Sequence, residues 1–257
     1  MIMPHIIIKR VWDYCSYNKS FLLFILTLSF FSSLIQNYVL YTGDNVQWMI
    51  VQFIVFVSLT GYGMLITRSR INHGKRLPKI EIKDIAVLGI KANVVMLVYM
   101  SIQTFILEKV CSLFEFPPFD LKNLILSWRA TINMFFNHDP VNTVLFVIFG
   151  SVLFYVTAFF MEIALAKLAD TGSILEAFNL LSIKRSIDVI GWKNYAKDYT
   201  IIILTIVILT ELIYINLSFT FLDSIIDMIL SFFVFATQYL GIGAVYCDIK
   251  DLESNSS

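Results

Sequence analysis

Apolar runs of about twenty residues, separated by short polar connections, dominate this chain and decide what it can fold into. The runs are Phe21–Leu40, Val46–Thr67, Ile85–Leu107, Val141–Leu165, Tyr199–Ser218 and Ile225–Tyr246. A helix of about 20 residues spans the ~30 Å hydrocarbon core of a bilayer, and every backbone polar group in it is satisfied internally. The expected fold class is therefore all-α: a polytopic membrane helical bundle with about six transmembrane helices, forming a single integral membrane domain over residues 1–257. A large soluble core is the competing reading. It fails because the runs are unbroken rather than striped at a helical period. Charge agrees: 15% of residues are charged and 58% hydrophobic, whereas soluble domains carry roughly 25% charged residues. The mean hydropathy is +0.77.

Interfacial amphipathic helices complete the expected architecture. The stretch around Ile6, Ile7, Ile8, Lys9, Arg10, Val11, Trp12, Asp13 and Tyr14 has the mixture that lies at headgroup depth. A cleaved signal peptide is the alternative there. The run after Lys19 is too long for one and has no small-x-small site after it. Between spans three and four, Leu121, Leu124, Ile125, Trp128, Ile132 and Phe135 recur at helical spacing after Pro117 and Pro118, which predicts a second such helix over Asp120–Phe135.

Orientation follows from the basic residues. Lys9, Arg10 and Lys19 precede span one. Arg68, Arg70, Lys75, Arg76, Lys79 and Lys83 follow span two, and Lys167, Lys184, Arg185, Lys193 and Lys197 follow span four. The opposite connections carry only Lys109, Lys122 and Arg129. The positive-inside rule then places the chain in the cell membrane as a multi-pass protein with both termini cytoplasmic.

Ionisable groups inside a span are costly, so each asks for a reason. Glu211 shares a helical face with Thr200, Tyr214 and Ser218, and the next span offers Asp227, Ser231, Gln238 and Gly241. Two acids in one cleft could hold a cation or proton, since like charges raise a carboxyl pKa. Otherwise Glu211 is neutral or hydrogen-bonded and Asp227 reaches the outer interface. Lys91 and Glu162 enter their spans from the same side, either as an ion pair or as a snorkelling lysine and a solvated acid. The cluster Arg68, Arg70, Lys75, Arg76, Lys79 and Lys83 suits anionic headgroups or a protein partner, beyond its part in topology. Gly61, Gly63, Gly89, Gly150, Gly241 and Gly243 permit close helix packing.

Several classes of chemistry find no support. Cys15, Cys111 and Cys247, and His5, His73 and His138, show no metal-ligand spacing, so neither a metal site nor any other cofactor is expected. There is no phosphate-binding glycine loop, nucleophile elbow or His-Glu helical motif, and the expectation is no catalytic residue and no enzyme. His138-Asp139 stands alone. A net charge of zero argues against nucleic acid as a partner.

The connections after spans two and four resemble each other, each a polar turn centred on Gly74 or Gly172 followed by an amphipathic segment, and Gly61-Tyr62-Gly63 is echoed by Gly241-Ile242-Gly243. An old duplication would explain this, as would the shared demands of leaving a membrane. More specific is the combination of Gly61-Tyr62, Arg68, Gly74, Leu77-Pro78, Gly89-x-Lys91 and Tyr99 with Ala169, Gly172, Ala177-Phe178 and Gly191-Trp192. With these residues the chain resembles a mainly archaeal membrane family known only as a domain of unknown function, numbered four thousand and thirteen. The resemblance covers nearly the whole chain and implies a polytopic helical bundle; it implies no activity. The expected function is a non-enzymatic membrane protein that partners or organises other components in the bilayer, with a membrane or cytoplasmic protein as its partner. The alternative is a small transporter or channel-like carrier that uses the Glu211 and Asp227 seam.

Overall fold

The computed structural model describes residues 46–74, 78–113, 134–137, 139–213 and 220–256. All regular elements among them are helices: α1 (Val46–Ile71), α2 (Ile82–Leu113), α3 (Pro140–Thr171), α4 (Ile174–Ala177), α5 (Leu180–Ile190), α6 (Trp192–Ile213) and α7 (Thr220–Ser256). The all-α expectation holds. The apolar segments from Val46, Ile85, Val141 and Ile225 each lie inside one of these helices, and most of the segment from Tyr199 lies inside α6. The segment Phe21–Leu40 and the interfacial helix at the N-terminus lie outside the described residues, as does the segment 120–135 except for its end, where residues 134–137 are helical. Two of the described helices, α2 and α3, are long and apolar enough to cross a membrane. In their most apolar windows only 33% and 17% of residues are buried, the reverse of a soluble core helix.

The described residues form two compact units, one within 94–162 and one of residues 46–93 with 163–256. In the first, Leu107 and Cys111 of α2 pack with Phe135 and Phe146, and Val110 and Leu153 close the cluster. Phe135 meets Phe146 edge-on, with ring centroids 5.5 Å apart. Pro140 occupies the first helical position of α3, where its missing N–H is not needed. Asp139 is the N-cap, accepting from the Asn142 backbone N–H at 3.1 Å. Asp139, isolated beside His138 in the sequence, thus serves as a helix cap. Beyond it Val141, Val144, Leu145, Ile148 and Val152 are exposed along α3. That apolar row calls for an apolar neighbour.

In the second unit, α7 packs along α1 and α6 and meets α5. Small residues set how closely these helices approach. A Cβ on Gly61 would collide with the Ile85 carbonyl oxygen, and one on Gly89 with the Val57 carbonyl oxygen. Here α1 and α2 touch backbone to backbone, the arrangement that small residues allow. On the α7 side, Gly63 lies against the Tyr239 ring and Gly243 against Arg70 and the Thr67 carbonyl. Thr67 Oγ1 lies within hydrogen-bond distance of the carbonyls of Gly63 (3.1 Å) and Tyr239 (3.0 Å), which links α1 to α7.

Helix α1 ends in a Schellman turn. The Gly74 N–H donates to the Ser69 carbonyl (2.7 Å) and the His73 N–H to the Arg70 carbonyl (3.1 Å). The left-handed position of such a turn is usually glycine, yet here it is His73, with φ 57°. A side chain at that backbone angle carries a strain of about 1 kcal/mol.

Candidate functional site

The polar chemistry of the second unit gathers where α1 and α3 end, around α4 and α5 and the last turns of α7. Helix α3 stops at Gly172, which has φ +71°, and the turn exposes a carbonyl that finds a cation. Lys91 Nζ donates to the Gly172 carbonyl oxygen at 2.6 Å. The Arg68 guanidinium lies beside the same turn, 3.5 Å from where a Gly172 Cβ would stand. Two residues from the first connection and its following helix therefore hold the turn of the second. A helix C-terminus concentrates partial negative charge, so cations belong there.

Behind this turn Lys167 is 7% exposed. Its Nζ donates to Ser182 Oγ at 2.9 Å and sits 5.8 Å from the Tyr246 ring centroid. Glu253, Glu176 and Asp170 surround it electrostatically. Asp170 also accepts from Lys250 Nζ at 2.8 Å, joining α3 to α7. Helix α5 is placed by Asn179, whose side chain caps it at the Ser182 N–H. Its inner face, Ile183, Ser186 and Ile187, is buried. On its outside Leu180, Leu181, Lys184 and Arg185 are exposed.

A second cluster joins the turn after α1 to α7. His73 Nε2 is 3.1 Å from Asp251 Oδ1, and Cys247 Sγ is 3.5 Å from His73 Nδ1 and 3.9 Å from Nε2. The thiol is buried, and burial pushes its pKa up; Asp251 and Asp248 add to this and Arg70 opposes it. Cys247 is thus a protonated thiol at neutral pH rather than an activated nucleophile. Linear spacing hides this group because 174 residues separate His73 from Cys247. The signal within reach was Cys247 and Asp251, four apart on one helical face.

The residues singled out from sequence fare differently. Lys91 has the fixed partner just described. Glu162 is buried in α3, and Gln238 is half-buried in α7. Glu211 lies in α6 and Asp227 in α7, but their side chains lie outside the described residues. The basic cluster divides. Arg68 and Arg70 are half-buried against Gly172 and Gly243, Lys79 and Lys83 are exposed, and Lys75 and Arg76 lie outside the described residues.

Lys91 gives a direct test of the shared turn. Lys91→Met is expected to lower stability by about 1.5–3 kcal/mol, the worth of a hydrogen bond from a charged group. Thermal unfolding in detergent micelles measures it, and an unchanged melting temperature would show that the bond to Gly172 contributes nothing.

Most of the described residues that carry the family resemblance lie in this same unit, and Tyr99 lies in the other. Gly61 and Gly89 form the α1–α2 crossing, the Tyr62 hydroxyl reaches the Pro78 carbonyl at 3.4 Å, and Lys91 and Arg68 converge on Gly172. Ala169 and Ala177 are fully buried, and Gly191 turns the chain from α5 to α6 at φ 85°. No curated protein and no solved structure matches the chain. A family whose description reads "Protein of unknown function (DUF4013)" matches over residues 46–245, from the start of α1 to the last apolar turns of α7, and the chain belongs to it.

Proposed function

We propose that this protein is a multi-pass component of the cell membrane, with about six spans and both termini in the cytoplasm, that partners or organises other membrane components rather than catalysing a reaction. The observation that carries the membrane part is the exposed apolar row of α3, from Val141 to Val152, together with the exposed Leu97, Ile102 and Phe105 of α2. Surfaces of this kind are stable against lipid and not against water. The basic turns follow from the same placement, facing the cytoplasmic headgroups.

The partnering part rests on how the polar end is built. Its lysines have partners within the unit: Lys91 the Gly172 carbonyl, Lys167 the Ser182 hydroxyl, and Lys250 the Asp170 carboxylate. What it offers outward is Lys79 and Lys83, and α5 with Leu180 and Leu181 beside Lys184 and Arg185. Apolar and basic residues side by side suit the headgroup boundary, and the exposed lysines suit an acidic partner held there. Purification of the full chain from its own membrane in mild detergent, followed by mass spectrometry of what remains bound, tests this. A stoichiometric protein partner, lost when Lys79 and Lys83 are changed to Glu, is the expected result. A chain that comes out alone, or with one small molecule, overturns the partner reading. Release of the chain from membranes by alkaline carbonate without detergent overturns the membrane reading itself.

A further inference from the structure

We propose that His73, Cys247 and Asp251 form a three-ligand site for a first-row divalent cation of the Zn²⁺ kind, with the remaining coordination position open to water. The ligand atoms of the three residues all lie within 4.8 Å of one another. His73 Nε2 stands 3.1 Å from Asp251 Oδ1 and 3.9 Å from Cys247 Sγ. Around a tetrahedral zinc with bonds of about 2.0–2.3 Å, neighbouring ligand atoms are about 3.3–3.6 Å apart. Rotamer adjustments of about an ångström at the widest pair would bring the three donors onto one ion.

The chain goes to some length to place the imidazole there. Cys247 and Asp251 come together through the helical repeat of α7, but His73 must be delivered from the end of α1. It is delivered by a backbone angle that side chains rarely adopt, φ 57°, at the position of the turn where glycine is the usual occupant. A strained residue of this kind points to a role for its side chain. The donor set is selective as well. A thiol and an imidazole suit zinc and its neighbours and exclude calcium and magnesium, which take oxygen ligands. Once the ion displaces the Cys247 proton to solvent, thiolate and carboxylate together balance the charge of a divalent ion. Cys247 is buried, while the side chains of His73 and Asp251 are 67% and 49% exposed. The ion would thus enter from the water side and keep a solvent ligand, as in sites with three protein ligands.

The competing role is a plain tether of α1 to α7, and the strain at His73 separates the two. In His73→Gly the turn keeps the residue that suits it best, so the metal-free variant is expected to melt at or above the parent temperature. The full chain in micelles is titrated with Co²⁺ as a spectroscopic substitute for Zn²⁺. The expected result is saturable one-to-one binding with a thiolate-to-cobalt absorption band, bleached by Zn²⁺ and absent in Cys247→Ser. His73→Gly and Asp251→Asn are each expected to weaken binding at least about tenfold, since loss of even an outer-shell partner does so. Zn²⁺ should raise the melting temperature of the parent and leave His73→Gly unmoved. No band at stoichiometric Co²⁺, or binding by both His73→Gly and Asp251→Asn as tight as the parent's, overturns the proposal.

Discussion

Gly89→Val is expected to prevent α1 and α2 from assembling, and Gly61→Val to do the same from the other helix. A Cβ on Gly89 would collide with the Val57 carbonyl oxygen, and one on Gly61 with the Ile85 carbonyl oxygen. Both obstacles are backbone, so no side chain can rotate aside; one helix has to move. Overpacking a well-filled interior typically costs about 1–3 kcal/mol, and here the displaced atoms are those of a helix rather than a flexible side chain. The loss should therefore be about 3 kcal/mol or more for alanine, and valine should leave no folded species. Thermal unfolding and fluorescence-detected gel filtration of the two variants check this. Gly150→Ala is the internal control. The nearest atom to a Cβ there is Leu107 Cδ2 at 3.6 Å, an ordinary contact. Alanine in place of a mid-helix glycine should stabilise by up to about 1 kcal/mol. Equal losses at Gly89 and Gly150 would mean that the crossing is not what the glycines serve.

Much of this crossing was legible in the sequence, and its partners were not. Apolar runs reveal helices because the period and length of burial are local properties, so α1, α2, α3 and most of α6 and α7 fall on segments readable one at a time. Glycines inside such runs are legible as close approaches, since they have little other use there. Which glycine meets which carbonyl depends on the depth and rotation of each helix. The echo of Gly61-Tyr62-Gly63 in Gly241-Ile242-Gly243 acquires a physical sense in the fold. The two helices pack on each other, Gly63 against Tyr239 and Gly243 against Thr67 and Arg70, so each helix supplies the small residue that the other needs.

Charged residues were legible as anomalies and not as pairs. Lys91 was conspicuous for entering a span, yet its partner is a backbone carbonyl 81 residues away, which no residue type announces. His73 was invisible for a related reason. Gly74 next to it is the expected occupant of the left-handed position at the end of α1, but the turn places His73 there and Gly74 one residue later. Spacing rules find metal ligands that share one element. They miss ligands brought together by packing of α1 on α7. The basic connection illustrates the same limit: counting its charges gives an orientation, whereas only the fold separates half-buried Arg68 and Arg70 from exposed Lys79 and Lys83.

Lys167→Glu is expected to be the most damaging single charge change at the polar end. The wild-type ammonium is buried, donates to Ser182 Oγ at 2.9 Å, and lies among Asp170, Glu176 and Glu253. Reversal places an anion among three acids and disrupts the bond to Ser182. Losing the hydrogen bond of a charged group costs about 1.5–3 kcal/mol, and reversal adds repulsion to that loss. Lys167→Met separates charge from bulk. Methionine keeps an unbranched stem in the space against the Tyr246 ring and loses the hydrogen bond, so its cost should be about 1.5–3 kcal/mol. Both variants can be compared by thermal unfolding in the same micelles. If Met and Glu lose equally, the ammonium and its bond to Ser182 hold α3 against α5, since methionine keeps the stem. If Glu alone collapses, and Glu176→Lys in the same chain restores part of the loss, repulsion from the neighbouring acids is what the reversal adds, and the site tolerates a neutral side chain but not an anion. The second outcome would mean that the acids around Lys167 set which charge this position accepts.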